Sequence, residues 1–222
     1  MYKIVRSRFK MLITVIIIVV SLIAIKKLIV DPQPVKEIKM NTVYICGSGT
    51  EYPDDDQSRF YIEFKDDKTF ILMHDDTRRN EEDYDEDGDG SRPVKDIYFG
   101  KYEIKNDNYI VRPTEGAYVG FKDTIAVKNN RINSYYSAKI KNNAYETWMT
   151  IVPTSEGRYK LGYINKNGIS FDNNRIYFML YNKSDIKKLP SSVEEFRKQF
   201  KMDKKAEQER LAEQERLAKQ SQ

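Results

Sequence analysis

Hydrophobic and polar residues alternate along much of this chain. RFYIEFK (59–65) sets Phe60, Ile62 and Phe64 on one side and Tyr61, Glu63 and Lys65 on the other, the period-two pattern of a half-buried strand. The same period runs through TWMTIV from Thr147, through RYKLGYI with Tyr159, Leu161 and Tyr163 aligned, and through RIYFMLY, where Ile176, Phe178 and Leu180 oppose Tyr177, Met179 and Tyr181. Polar pairs punctuate these runs: Asp66–Asp67, Asn106–Asp107, Asn129–Asn130, Asn142–Asn143, Asn167–Gly168 and Asn173–Asn174. Asn, Asp and Gly tolerate positive φ, so the pairs predict tight hairpins between neighbouring antiparallel strands. About nine or ten short strands over residues 41–182, with no helical crossover, predict a mainly β fold. The expected form is an antiparallel up-and-down barrel or a curled meander sheet, closure having the advantage of removing exposed edges.

The pattern changes at both ends. Residues 1–10 carry four positive charges and no negative one, and MLITVIIIVVSLIAI then runs uncharged to Lys26 and Lys27, with LIV after them. Twenty residues, 11–30, are long enough to cross a bilayer core of roughly 30 Å, with the paired lysines snorkelling near one end. With Ala24, the best candidate, at the −1 position of a cleavage site, the bulky Leu22 stands at −3 where a small residue is needed, and Cys46 lacks a lipobox. The expectation is an uncleaved transmembrane signal anchor, N-terminus cytoplasmic by the positive-inside rule, in the cell membrane as a single pass. Residues 31–40, with two prolines, read as a linker to an extracytoplasmic domain at 41–182. In 183–202, PSSVEEFRKQF offers Ser191 with Glu194 or Ser192 with Glu195 as a capping box, and Val193, Phe196 and Phe200 share a helical face. That segment reads as a closing turn and helix against the barrel. Residues 203–222 repeat AEQERL with a six-residue period that keeps Leu211 and Leu217 off a heptad seam, so a solvated helical or disordered tail is expected.

GSGTEY, IEFKDDKTF and FGKYEIKNDNYIVRP, within residues 47–113, together resemble the opening of bacterial lipocalin-like (calycin-type) β-barrel domains. Such domains begin with Gly and an aromatic, continue with a Phe strand and a tight turn before Thr-Phe, and show Gly-x-Tyr before another turn. Here Tyr52 stands where Trp is usual, Asp67-Lys68 replaces Asp-Gly, and an acidic insertion parts the two halves. The resemblance implies a barrel with a terminal helix and brings no site residues with it.

Charge and chemistry narrow the function. The net charge is only +4, but residues 75–96 hold ten acidic against four basic side chains. No basic stripe with interleaved aromatics remains to bind nucleic acid. Within that acidic stretch, EEDYDEDGDGSRPVKD fits two partial calcium registers. One uses Asp85, Asp87, Asp89, the Ser91 carbonyl and Asp96 at position 12, with Pro93 wasted at position 9. The other uses Asp83, Asp85, Asp87, the Asp89 carbonyl and Ser91, with Val94 useless at position 12. Because the exit reads as strand, a site there would be a grafted acidic loop, and the competing reading is a solvated hairpin tip.

His74 is the only histidine and Cys46 the only cysteine, which excludes a zinc site built on several imidazoles and an internal disulfide. VYICG predicts a buried Cys46, against a Cys46–His74 nucleophile pair. Glu63, Glu103 and Glu115 are candidate glycosidase carboxylates with nothing to set them apart from outward strand residues. Sixteen tyrosines supply either ordinary strand packing or a ligand groove. Two functions follow. The first is a membrane-anchored, non-catalytic binding or interaction module of the bacterial cell envelope that meets an envelope protein, lipid or glycan, with a calcium-stabilised loop as an option. The second is an envelope-acting hydrolase on glycan or peptide using carboxylates. A deep apolar cavity would favour a small or lipid ligand, converging carboxylates the hydrolase, and a filled barrel a protein partner.

Overall fold

The structure is a computed structural model and describes residues 15–18, 21, 31–47, 49–84, 91–140, 148–165, 168–170 and 178–220. The chain forms two compact units, Met1–Gln33 and Pro34–Gln222. In the first, Val15 to Ile18 and Ser21 are helical, and the four apolar side chains Val15, Ile16, Ile17 and Ile18 are at least 50% exposed. Among the described residues no helix is long and apolar enough to cross a membrane, and most of the expected 11–30 span lies outside the described residues.

The second unit is a single antiparallel sheet that curls into a nearly closed barrel. Its path runs β1 (Val43–Cys46), β2 (Arg59–Phe64), β3 (Thr69–Asp75), β4 (Val94–Lys105), β5 (Asn108–Phe121), β7 (Trp148–Pro153), β8 (Tyr159–Asn165) and β10 (Phe178–Met179). The ends meet where Tyr181 N donates to Ile45 O at 2.8 Å and Ile45 N to Tyr181 O at 3.2 Å. Turn chemistry sets the β4–β5 hairpin as expected, with Asn106 and Asp107 both at positive φ, whereas in the β2–β3 turn the positive φ, 65°, falls on Lys68 rather than on the Asp66–Asp67 pair.

Three features depart from a simple meander. First, β6 (Arg131–Lys139) leaves the path. It pairs with the C-terminal half of β5, while Tyr109 and Ile110 of the N-terminal half pair with β7. Second, β5 and β6 are joined by a five-residue helix, α1 (Thr124–Lys128), capped by Asp123, so a helical link does occur between strands. Third, β11 (Lys201–Met202) pairs parallel with β6, and β9 (Gly168–Ser170) pairs only with β8. The division of β5 between two partners comes with a bulge. Gly100 faces Pro113 while Phe99 faces Glu115, leaving Thr114 extra. A Cβ on Gly100 would come within 2.1 Å of Arg112 O, so only glycine fits beside the bulge.

Burial corrects the half-buried reading of β2. All its residues but Phe60 are buried, because the sheet carries a core on each face. Phe64, Phe70, Tyr102, Val111, Ile151 and Leu161, from six strands of the path, pack in the barrel interior. Phe64, Tyr102, Tyr109 and Tyr159 meet there ring to ring at 4.9–6.0 Å. On the other face Tyr61, Ile71, Met73, Ile97 and Val119 are covered by Leu189, by α2 (Val193–Arg197) through Val193 and Phe196, and by Phe200 just beyond it. Ser192 caps α2 by accepting from Glu195 N, and the Glu195 carboxylate returns to Ser191 N at 2.7 Å, so the second of the two predicted boxes is the one used. The tail is a helix, α3 (Lys204–Gln220), whose first turns dock on β6: Ala206 is buried, whereas Leu211 and Leu217 stay exposed.

Candidate functional site

Strand register brings one row of side chains across six strands. Cys46 opposes Phe60, Phe60 opposes His74, His74 opposes Asp96, Asp96 opposes Tyr118, and Tyr118 opposes Tyr136. The row belongs to the interior face and passes from buried Cys46 to Tyr136, which is 66% exposed where β6 has left the barrel wall. Aromatic rings and hydrogen-bonding groups both contribute to it. Phe60 stacks on His74 at 4.4 Å and meets Phe178 edge-on at 5.2 Å. Tyr118 hydrogen-bonds Ser134, and burial followed by the nearby Asp96 charge pushes its hydroxyl pKa up.

His74 is the hub of this row. Its Nδ1 lies 3.3 Å from Asp96 Oδ2 and its Nε2 lies 2.8 Å from Ser58 Oγ. Serine, histidine and aspartate in that order match an acyl-transfer triad in connectivity. The surroundings oppose the chemistry. The Ser58 hydroxyl has one proton, and the Asp76 carboxylate is a second acceptor for it. Ser58 lines a surface depression together with Gln57, Arg79 and the carboxylates of Asp56, Asp76 and Asp83; the carboxylates oppose an oxyanion there, and the Arg79 guanidinium is already engaged by Asp76 at 3.6 Å and by the Asp83 carbonyl. Here the three side chains act as a hydrogen-bonded relay that orients the histidine.

Behind the row, on the opposite face of the same strands, lies an ion network. Asp185 accepts from Arg59 Nη1 at 2.9 Å and from the Tyr61 hydroxyl at 2.9 Å, and Arg78 reaches it as well. Asp75 takes Lys95 Nζ at 2.8 Å and the Thr77 hydroxyl at 2.6 Å. Burial alone would raise the Asp75 carboxyl, but Lys95 and Thr77 outweigh it and hold the pKa below the ordinary carboxylate value. Arg59 and Asp75 are both 2% exposed, and the network ties the 182–186 segment to the sheet edge.

The residues singled out from the sequence are dispersed. Glu63, Ile71, Phe99 and Glu115 form one row, so three strand spacings, roughly 14 Å, separate the backbones of the two glutamates. Hydrolytic carboxylate pairs stand roughly 5–10 Å apart. Glu63 is buried against Lys65, and Glu103 is held at the surface by Arg112 and Lys105. Cys46 is buried, burial pushes its thiol pKa well up, and the Phe60 ring occupies the row position between it and His74. A Cys46–His74 nucleophile pair is therefore absent.

Of the candidate calcium ligands, Asp85, Asp87 and Asp89 lie outside the described residues. Asp83 sits in a short 3-10 turn, Glu81–Tyr84, where its carboxylate accepts from Asn80 N at 3.0 Å. The Ser91 hydroxyl donates to Tyr84 O, closing the base of the loop, and Asp96 is on β4 facing His74. Tyr84 is buried, with the Arg79 guanidinium 5.1 Å over its ring. Among the described residues no group of three or more His, Cys, Asp or Glu is placed to hold a metal ion.

Compared with protein-family models and with curated proteins, the chain has no significant match.

Proposed function

We propose that this protein is a membrane-anchored, extracytoplasmic module of the bacterial cell envelope that works by binding a partner protein, without catalysis. The observation that carries the reading is the close packing of the interior among the described residues: Phe64, Phe70, Val111, Ile151 and Leu180 are at most 2% exposed, which leaves the outer end of the His74–Asp96–Tyr118–Tyr136 row as the surface for recognition. Exposed aromatic rings beside hydrogen-bonding groups are the usual anchors of a protein interface. The basic segment, the apolar run at 11–30 and the proline-containing linker support the membrane anchor and the outward orientation. The lipocalin-like resemblance is compatible with this role as an architecture whose lumen has been given over to packing.

The test uses the full chain in intact bacterial cells. Because native Cys46 is buried, it stays silent to a membrane-impermeant maleimide, and Ser155→Cys on the exposed 154–157 turn is expected to label while Ser7→Cys is not. A photo-crosslinking residue at Tyr136 is expected to yield a discrete protease-sensitive adduct that the same residue at Glu156 does not. Labelling of Ser7→Cys alone would overturn the orientation. Absence of the adduct would overturn the partner, and a protease-resistant one would reassign it as a glycan.

A further inference from the structure

The strand that leaves the barrel wall carries an open edge. One side of β6 pairs with β5. On its other side Lys201 and Met202 meet Arg131 and Ile132, and Arg210 Nε on α3 donates to Asn133 O at 3.1 Å, so this cover ends at Asn133. The alternation of an antiparallel ladder says which groups face outward beyond that point. Ile140 N donates to Thr114 O at 2.8 Å, and Phe121 N turns to the opposite side of β5, to Pro93 O at 3.0 Å. Ser134, Tyr136 and Ala138 therefore direct their backbone groups to β5, and Tyr135, Ser137 and Lys139 direct theirs away from it. Among the described residues nothing answers the N–H and C=O groups of those three. Ser137 and Lys139 are exposed, and the Tyr136 ring stands 66% exposed beside them. An edge of this kind, with no proline and no bulge from Ser134 to Lys139, is a template for one more strand.

Self-complementarity selects the occupant. In a second copy laid antiparallel, with the two-fold axis through Ser137, Tyr135 faces the partner's Lys139 and Ser137 faces the partner's Ser137. Each facing pair exchanges two main-chain hydrogen bonds, and this is the one register in which Tyr135, Ser137 and Lys139 are all answered by the same three residues. The side chains fit it as well. On the interior face the large Tyr136 ring lies opposite the partner's Ala138, and on the outer face the Lys139 ammonium lies opposite the ring of the partner's Tyr135. Lys139 also faces Glu115 within its own sheet, so the edge brings no like charges together. An axis through Tyr135 would instead set Arg131 against the partner's Lys139 and would need the Asn133 carbonyl that Arg210 already holds.

We propose that two copies of this chain join edge to edge through antiparallel β6 strands centred on Ser137. The proposal rests on the reading of the Tyr136 surface as one that binds protein, and it names the partner there as a second copy. Disulfide trapping on the full chain in detergent micelles tests it, because Cα atoms in a hydrogen-bonded antiparallel pair stand about 5.5 Å apart, within disulfide reach. Cys46 is buried and stays out of the reaction. Ser137→Cys is expected to oxidise to a dimer at least about tenfold faster than Lys139→Cys, whose two copies would stand roughly 13 Å apart along the strands, and than Ser155→Cys on the exposed turn. Sedimentation of the wild type is expected to show a dimer that Ser137→Pro weakens by about tenfold or more. The Ser137 N–H points away from β5, so this proline should leave the β5–β6 ladder and the melting temperature as they were. Equal oxidation at the three positions overturns the proposal, as does a dimer that a stably folded Ser137→Pro leaves unweakened. A wild type that stays monomeric removes the second copy. The photo-crosslink at Tyr136 then separates the two readings: an adduct with a different protein keeps the surface and discards the copy, whereas no adduct discards both.

Discussion

Asp75 and Asp76 are neighbours with opposite electrostatics. Asp75 is pinned by Lys95 at 2.8 Å and its pKa is lowered despite burial. The Asp76 pKa is raised by burial, which Arg79, His74 and Ser58 only partly offset. A carboxylate with a lowered folded pKa stabilises the fold above its unfolded value of about 3.9, and that contribution is lost as pH falls through the folded value. The wild-type melting temperature is therefore expected to fall as pH drops below about 4. In Asp75→Asn the acid limb should be shallower, and stability at pH 7 lower because Lys95 is left without its partner. Thermal melts across pH give the answer, and an acid limb unchanged in the variant would remove Asp75 as its cause. The sequence conceals this pair for a physical reason. Alternation in FILMHDD correctly groups His74 with Phe70 and Leu72, but it turns Asp75, like Arg59 and Glu63, toward solvent. Arg59 is met by Asp185 from far downstream and Asp75 by Lys95 of the next strand, and local periodicity does not see such partners.

At the level of elements, what can be read in the sequence is what local chemistry decides. The β4–β5 turn follows from Asn106 and Asp107, the β2–β3 turn falls beside the expected Asp66–Asp67 pair although Lys68 takes the positive φ, and α2 follows from its Ser192 cap and from Val193 and Phe196, with Phe200 just past its end. Elements decided by partners are not legible. Nothing in RINSYYSAK says that β6 leaves the barrel path, and the six-residue repeat of the tail conceals that Ala206, with Arg210 and Glu209, docks α3 on the β5–β6 edge. The wholly buried Phe196 makes α2 the main cover of the outer core, with edge contacts to Phe200 at 5.2 Å. Phe196→Ala is expected to cost about 3–5 kcal/mol, from lost transfer energy plus the cavity left behind. Urea unfolding should show this as a lower midpoint at an unchanged slope. A loss below about 1 kcal/mol would mean that α2 rests on the sheet without closing its core.

Across the whole molecule, the acidic stretch connects the loop to the His74 row, because Asp96 is position 12 of one calcium register and also the carboxylate that holds His74 Nδ1 at 3.3 Å. The base of the loop is already closed by Ser91 on Tyr84 O, so a calcium ion would organise carboxylates on a fixed frame. Loops of this kind bind extracellular calcium with dissociation constants of roughly 10⁻⁴ to 10⁻³ M, which at about 10 mM calcium corresponds to roughly 1.5–2.7 kcal/mol of added stability. Full-length protein is expected to melt higher with calcium, and Asp85→Asn, Asp87→Asn and Asp89→Asn together should abolish the shift. The two registers then separate at Asp96. If the loop begins at Asp85, calcium draws Asp96 away from His74, so Asp96→Asn weakens calcium binding and calcium perturbs the His74 ring signals. If it begins at Asp83, Asp83→Asn weakens binding while Asp96→Asn and the His74 signals stay unchanged. No calcium-dependent shift in the wild type would remove calcium from the account of the acidic stretch, and the His74 geometry would then depend on Asp96 and Ser58 alone.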